Sequence, residues 1–160
     1  MNPKTFYNRL KTLLKGLNWP TTANKVFGNN VFIVPYLYPE NIPVIISPCC
    51  FIEELGFINH KEEPEIIMSR FQLIYFIENI NTQSGEGIVI DANRTTNTSR
   101  GVGYLELERL IMKNVINVIK LTDNIYIKEI SGTKAIQIPS NAPNMYRSNV
   151  FDAMLILKDI

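Results

Sequence analysis

The 160-residue chain has little of what most catalytic and extracellular folds are built on. It holds a single histidine, a single tryptophan and only two cysteines, Cys49 and Cys50, which are adjacent. Neighbouring residues on a strand point to opposite faces, so these two thiols cannot bridge without a strained backbone. No disulfide framework is encoded, and nothing signals an oxidising compartment. An excess of one charge is missing too: 16 Lys and Arg face 15 Asp and Glu, for a formal net charge of +1. That balance argues against a dedicated nucleic-acid surface, which carries a clustered basic excess, while leaving room for a local basic patch. Long apolar runs are also absent: no stretch approaches the roughly 18–20 apolar residues that span a bilayer. Lysines are spread through Met1–Leu17, so this stretch reads as neither a signal peptide nor a membrane anchor. The expectation is a soluble protein made in a cytoplasm, with no membrane partner. No internal repeat and no low-complexity run occurs.

What is present is globular composition, with 46% hydrophobic and 19% charged residues. This is far from the disordered class. A chain of this length fits one domain, residues 1–160, large enough to fold without staples.

Periodicity places the elements. Phe6, Leu10, Leu13, Leu14 and Leu17 share one face of a helix predicted over Pro3–Leu17, which Gly16, Asn18 and Pro20 end. Val31–Val34 reads as a short strand stopped by Pro35, and the proline-rich stretch after it as an irregular connection. Val44–Ile46 and Cys49–Ile52 read as one strand broken by Ser47-Pro48, hence bulged or at an edge. Glu65–Asn79 is the longest strand, with Phe71, Leu73, Tyr75 and Ile77 on one face and Gln72, Ile74, Phe76 and Glu78 on the other. A second helix is predicted over Tyr104–Lys120. Its polar stripe is Glu106, Arg109, Lys113, Asn117 and Lys120, and Leu105, Ile111, Met112, Val115, Ile116, Val118 and Ile119 make a wide apolar face. Ile125–Ile130 and Lys134–Ile138, separated by Ser131-Gly132-Thr133, carry a hairpin signature. Pro139–Arg147 reads as a loop and Val150–Leu157 as the last strand. The sum is an α+β fold: a mostly antiparallel β-sheet with two helices packed on one face. A long polar loop, about residues 81–103, completes the layout. Its glycines, threonines and asparagines cannot offset their ordering entropy by burial, so this loop is expected to order on a partner.

Candidate chemistry is thin. A nucleophilic cysteine needs a base in reach and an activating environment. Nothing obliges His60 to meet Cys50, and cysteines in an apolar strand act as small core residues. Glu53, Glu54, Glu62, Glu63 and Glu65 surround His60 without EF-hand-like spacing, and read as a solvated loop or an interface patch. Gly85-Glu86-Gly87 and Gly101-Val102-Gly103 complete no phosphate-binding fingerprint. Arg94 and Arg100 lack the interleaved aromatics of a single-strand nucleic-acid site. No catalytic, metal or cofactor-binding residues are assigned, and no enzyme is expected.

Over most of its length the pattern resembles the tail-terminator (tail-completion) proteins of long-tailed bacteriophages. The resemblance runs from the N-terminal helix through Val26-Phe27-Gly28, Val31–Pro35 and Pro43–Pro48. It continues through Glu63-Pro64-Glu65-Ile66, the long strand, Asn93-Arg94 to Ser99-Arg100-Gly101, the helix opening Gly103–Glu108, and Phe151 in the final strand. Cys49-Cys50 has no counterpart role in it. The resemblance implies a virion structural protein without catalytic residues. It would form a homo-oligomeric ring, expected to be a hexamer, that caps the tail tube and joins it to a head-side connector or stopper protein. DNA would pass through the ring without sequence-specific contact. Arg94, Thr96, Asn97 and Arg100 are the candidate contacts with the next subunit or the tube. Another head–tail connector or tail-tube component is the alternative, and a small enzyme using Cys50 and His60 a further one.

Overall fold

A computed structural model describes residues 1–20, 24–34, 48–59, 62–63, 65–78, 104–137 and 144–156; at 77–78, 133–137 and 144–146 it describes the backbone only. Helix α1 spans Pro3–Gly16. Asn2 caps it, its Oδ1 accepting from the Thr5 amide at 2.8 Å, and Pro3 stands where a missing amide costs nothing. The strands are β1 (Val31–Val34), β2 (Cys49–Asn59), β3 (Ile66–Glu78), β4 (Tyr126–Gln137) and β5 (Asn144–Ile156). The second helix runs as α2 (Tyr104–Ile111), a π-helical segment Met112–Ile116, and α3 (Asn117–Thr122).

Among the described residues five strands form one sheet, in the order β1-β2-β3-β5-β4. Only β1 and β2 are parallel; β2–β3, β3–β5 and β4–β5 are antiparallel. Both helices lie on the same face. Phe6 of α1 meets Phe71 edge-on at 5.5 Å, and Tyr104 of α2 lies 5.7 Å from Tyr75, two strand positions of one parity. Phe71 stacks on Phe151 of β5 at 5.2 Å. Around these rings the core gathers Leu10 and Leu14, Cys50 and Ile52, Leu73, Leu107, Val115, Ile119, Ile127, Ala153 and Leu155, all buried. The expected fold class, an α+β sheet with two helices packed against it, is what the chain adopts.

Four local readings are corrected. Ser131-Gly132-Thr133 is no hairpin turn: β4 runs straight through it, with register shifts at Glu129/Ser131 and at Thr133/Ile136. Those shifts are β-bulges, which absorb an extra residue without reversing the chain. The expected loop over Pro139–Arg147 gives way to strand from Asn144 on. Glu53 and Glu54 are not loop residues, because β2 continues to Asn59 past a bulge at Glu54/Gly56, where Gly56 holds a φ of 115° that favours glycine. Leu105 points to solvent at 54% exposure, while Leu107 and Leu110 are buried. The π segment shifts the helix phase, so the buried stripe runs through Tyr104, Leu107, Ile111, Val115 and Ile119.

The faces of β3 divide as expected at Phe71, Leu73 and Tyr75, yet Ile74 and Phe76 on the other side are buried as well. Phe76 sits edge-on to Phe51 at 5.9 Å, and Phe51 lies 5.5 Å from Phe32. An aromatic row therefore crosses β1, β2 and β3 on the face opposite the helices.

Candidate functional site

The two cysteines separate as strand geometry requires. Cys50 belongs to the helix-side core, and Cys49, one residue earlier, does not. Burial pushes the Cys49 thiol up to about 12 and holds Cys50 well above the ordinary thiol range. A thiol kept protonated by an apolar surround is the opposite of an activated nucleophile. His60 lies outside the described residues, as do Arg94, Thr96, Asn97, Arg100 and the whole 81–103 stretch. Among the described residues no cluster of three or more His, Cys, Asp or Glu side chains could hold a metal ion, and no helix is long and apolar enough to cross a membrane.

A polar network that the sequence reading missed lies beside α2. The Tyr75 hydroxyl donates to Asn149 Oδ1 at 2.7 Å, and Asn149 Nδ2 lies 3.3 Å from both Glu108 Oε1 and Glu129 Oε1. An Arg147 guanidinium nitrogen stands 2.6 Å from Glu108 Oε2, an ion-pair contact too skewed to count as a hydrogen bond. The Tyr104 hydroxyl donates to the Tyr75 carbonyl at 3.3 Å. Burial first, and then the Glu108 charge, drive the Tyr75 phenol far above its ordinary range. Gly132 faces this network: a Cβ there would come within 3.2 Å of Asn149 Nδ2. The network joins α2, β3, β4 and β5; within it Glu108 Oε2 and the Arg147 Nε are buried without a hydrogen-bond partner, and the ion pair between the two side chains offsets that. That is the pattern of a structural tie.

A cleft of about 360 Å³ opens between the end of α1 and the π segment, lined by Thr12, Leu13, Gly16, Leu17, Asn18 and Asn114. It holds no acid, base or thiol.

The surfaces with most to offer a partner are the sheet edges. β1 pairs only with β2 and β4 only with β5, so among the described residues each has one ladder side without a strand beside it. Phe32 and Ile33 are exposed on β1, and Leu55 and Phe57 on the stretch of β2 that runs past β1. Phe57 opposes Ser69, a helix-side position, but is 49% exposed because the strand outruns the helical layer. At the other edge β4 exposes Tyr126 and Ile130. No protein-family model matches the chain, and no curated protein matches it.

Proposed function

We propose that the chain is a ring-forming structural subunit of a virion, a tail terminator that caps the tail tube and joins it to a head-side connector. The observation that carries this reading is the pair of sheet edges. They bear different exposed apolar sets, Phe32, Ile33, Leu55 and Phe57 on one and Ile130 with Tyr126 on the other. Head-to-tail closure needs two unlike complementary surfaces on each subunit. Strand edges supply directional bonds without a large apolar patch. The buried, protonated thiols support a non-catalytic role, and the sequence resemblance supplies the particular ring and its partners. Arg94, Thr96, Asn97 and Arg100 remain the proposed contacts with the next subunit or the tube.

Light scattering with negative-stain imaging of the purified protein, alone and with tail tubes, tests the reading. Rings are expected. Phe57→Asp and Ile130→Asp should each abolish them while leaving the fold intact. Because head-to-tail contacts are unlike, an equal mixture of the two variants should stop at dimers joined through the one intact pair of surfaces. A parent that stays monomeric both alone and with tail tubes contradicts the proposal.

A further inference from the structure

The even charge balance of the chain conceals a separation. Residues 1–34 hold five Lys and Arg and no Asp or Glu, and residues 104–123 hold three of each sign. These two stretches supply the helical layer, which therefore carries eight basic residues against three acidic; the rest of the chain carries eight against twelve. Each acid of the layer is held by an arginine: Asp123 by Arg9 at 3.0 Å, Glu106 by Arg109, and Glu108 by Arg147 at 2.6 Å. Lys25 donates to the Gly16 carbonyl at 3.3 Å. That leaves Lys4, Lys11, Lys15, Lys113 and Lys120, none with an ion-pair partner among the described residues. Lys4 and Lys113 are exposed and the other three half-buried. Three acids of the sheet face the helical side. Glu54 stands by Tyr7 and accepts from the Gly56 amide, and Glu65 precedes Ile66, whose strand partner Ile156 binds the Met1 ammonium. Glu129 belongs to the network beside α2. The C-terminal half of α1 and the helix beyond Met112 thus stay basic.

The two helices lie side by side and antiparallel. Arg9 meets Asp123 at one end, and Thr12, Leu13 and Gly16 share a cleft with Asn114 at the other. Lys4, Lys11 and Lys15, spaced by seven and four, form one line along α1, roughly 16 Å long at about 1.5 Å per residue. Lys113 and Lys120, also seven apart, belong to the π segment and α3. Among them the exposed side chains include neutral hydrogen-bonding groups, Asn8, Thr12, Asn114 and Asn117. No aromatic ring is offered: Phe6, Tyr7, Trp19 and Tyr104 are all buried, and the exposed large apolar residues of the helices are Leu105 and Leu121.

We infer that this helical face binds the phosphate backbone of a nucleic-acid duplex without reading its sequence. Charge complementarity selects a polyanion, and the rest of the composition selects which one. A bilayer takes up the apolar face of a helix, and both helices bury theirs against the sheet. A single strand stacks its bases on aromatic side chains, and none is exposed here. Protein interfaces are enriched in aromatics and arginine and depleted in lysine. On this face the arginines are held by carboxylates, and the free cations are lysines, point charges on flexible stems. Phosphate oxygens also accept from Asn and Thr side chains. A duplex carries one charge per roughly 1.7 Å of its axis, so each lysine along such a line finds a phosphate whatever the bases. The inference uses neither sheet edge and does not rest on the ring.

Fluorescence anisotropy of labelled DNA duplexes titrated with the full chain over a salt series tests this. Duplexes of unrelated sequence should bind equally. Affinity should fall with salt, log Kobs against log salt having a slope of about −4 if four to five phosphates are met. Lys11→Gln and Lys113→Gln should each reduce that slope by about one and leave the circular dichroism unchanged. Lys128→Gln, at an exposed position on the opposite sheet face, should leave the slope alone. A parallel titration with an RNA duplex names the source of the backbone, tighter binding of either form supporting the inference. A chain that leaves both duplexes free at about 50 mM salt overturns it. So does tighter binding of phosphatidylserine vesicles or of polyglutamate, which would point to a membrane or an acidic protein. A slope indifferent to both Lys11→Gln and Lys113→Gln also overturns it, and is the result expected if Arg94 and Arg100 hold the nucleic acid. Duplex binding by a chain that forms no ring, or rings that bind no duplex, would separate this inference from the proposed function.

Discussion

Asn149 decides more than its size suggests. It sits on a central strand with all but a few per cent of its surface buried, and its amide is shared among a phenol and two carboxylates. Removing the Tyr75 hydroxyl leaves Asn149 Oδ1 buried with no donor supplied by that ring. Leaving a buried acceptor unmet costs about 1–3 kcal/mol. Tyr75→Phe is therefore expected to lower the unfolding free energy by that amount in urea melts, despite keeping every carbon of the ring. A change under half a kcal/mol would mean that Asn149 finds another donor at once. Tyr7 is the second such residue. Its hydroxyl lies 2.7 Å from Ser69 Oγ in the core, so helix α1 is tied to β3 by a buried hydrogen bond as well as by Phe6. Where α1 meets the end of α3, Arg9 binds Asp123 at 3.0 Å; being partly exposed, that pair adds little.

Among the elements, β4 is the one whose details matter most. Its bulge at Glu129/Ser131 leaves Ile130 as the extra residue and brings Gly132 opposite Asn149. Gly132→Ala would press a methyl against the Asn149 amide nitrogen, 3.2 Å away. Overpacking of this kind costs about 1–3 kcal/mol. The expected signature is a lower melting temperature together with loss of the Asn149–Glu129 contact, seen as a shifted Asn149 side-chain amide resonance. The sequence made the long elements legible because their apolar periods are clean. Phe71, Leu73 and Tyr75 alternate without a break, and Phe6, Leu10 and Leu14 keep helical spacing. Ser131-Gly132-Thr133 misled because a glycine inside a strand also serves where another side chain comes close, as Asn149 does beside Gly132. Leu105 misled because a π segment shifts the face of a helix, and no single residue type marks one. The polar network was illegible for a different reason. It is assembled from four elements, and each member alone looks like an ordinary surface residue. Strand edges could be foreseen only in general terms, since strand order is a long-range property.

At the scale of the whole molecule, the folded chain holds on to protons. Burial lifts Cys49 from 9.0 to about 12 and Tyr7 from 10.0 to about 12, the latter despite its hydrogen bond to Ser69, and Cys50 and Tyr75 are raised as well. Each is neutral when protonated. The folded state thus keeps protons that the unfolded chain releases once pH passes the ordinary values. Stability is full below about pH 9 and falls as pH climbs toward about 12. Urea midpoints should be steady through neutrality and decline in that alkaline window. In a Cys49→Ser, Cys50→Ser chain the decline should begin later, near the ordinary tyrosine range. A midpoint that stays flat across the window would mean these groups ionise in place.

The strand order has a consequence for how the protein is made. β5 lies between β3 and β4, although it is the last of the described strands to be synthesised. Until Asn144–Ile156 has left the ribosome, β3 lacks its inner neighbour and β4 has no partner at all. Nascent chains must therefore wait with two open strands and a core that lacks Phe151, Ala153 and Leu155, and closure comes only after β5 emerges. Such long-range pairing is slow and leaves edges open meanwhile. A stop codon anywhere before β5 would then yield not a smaller version of the domain but a chain prone to join its neighbours.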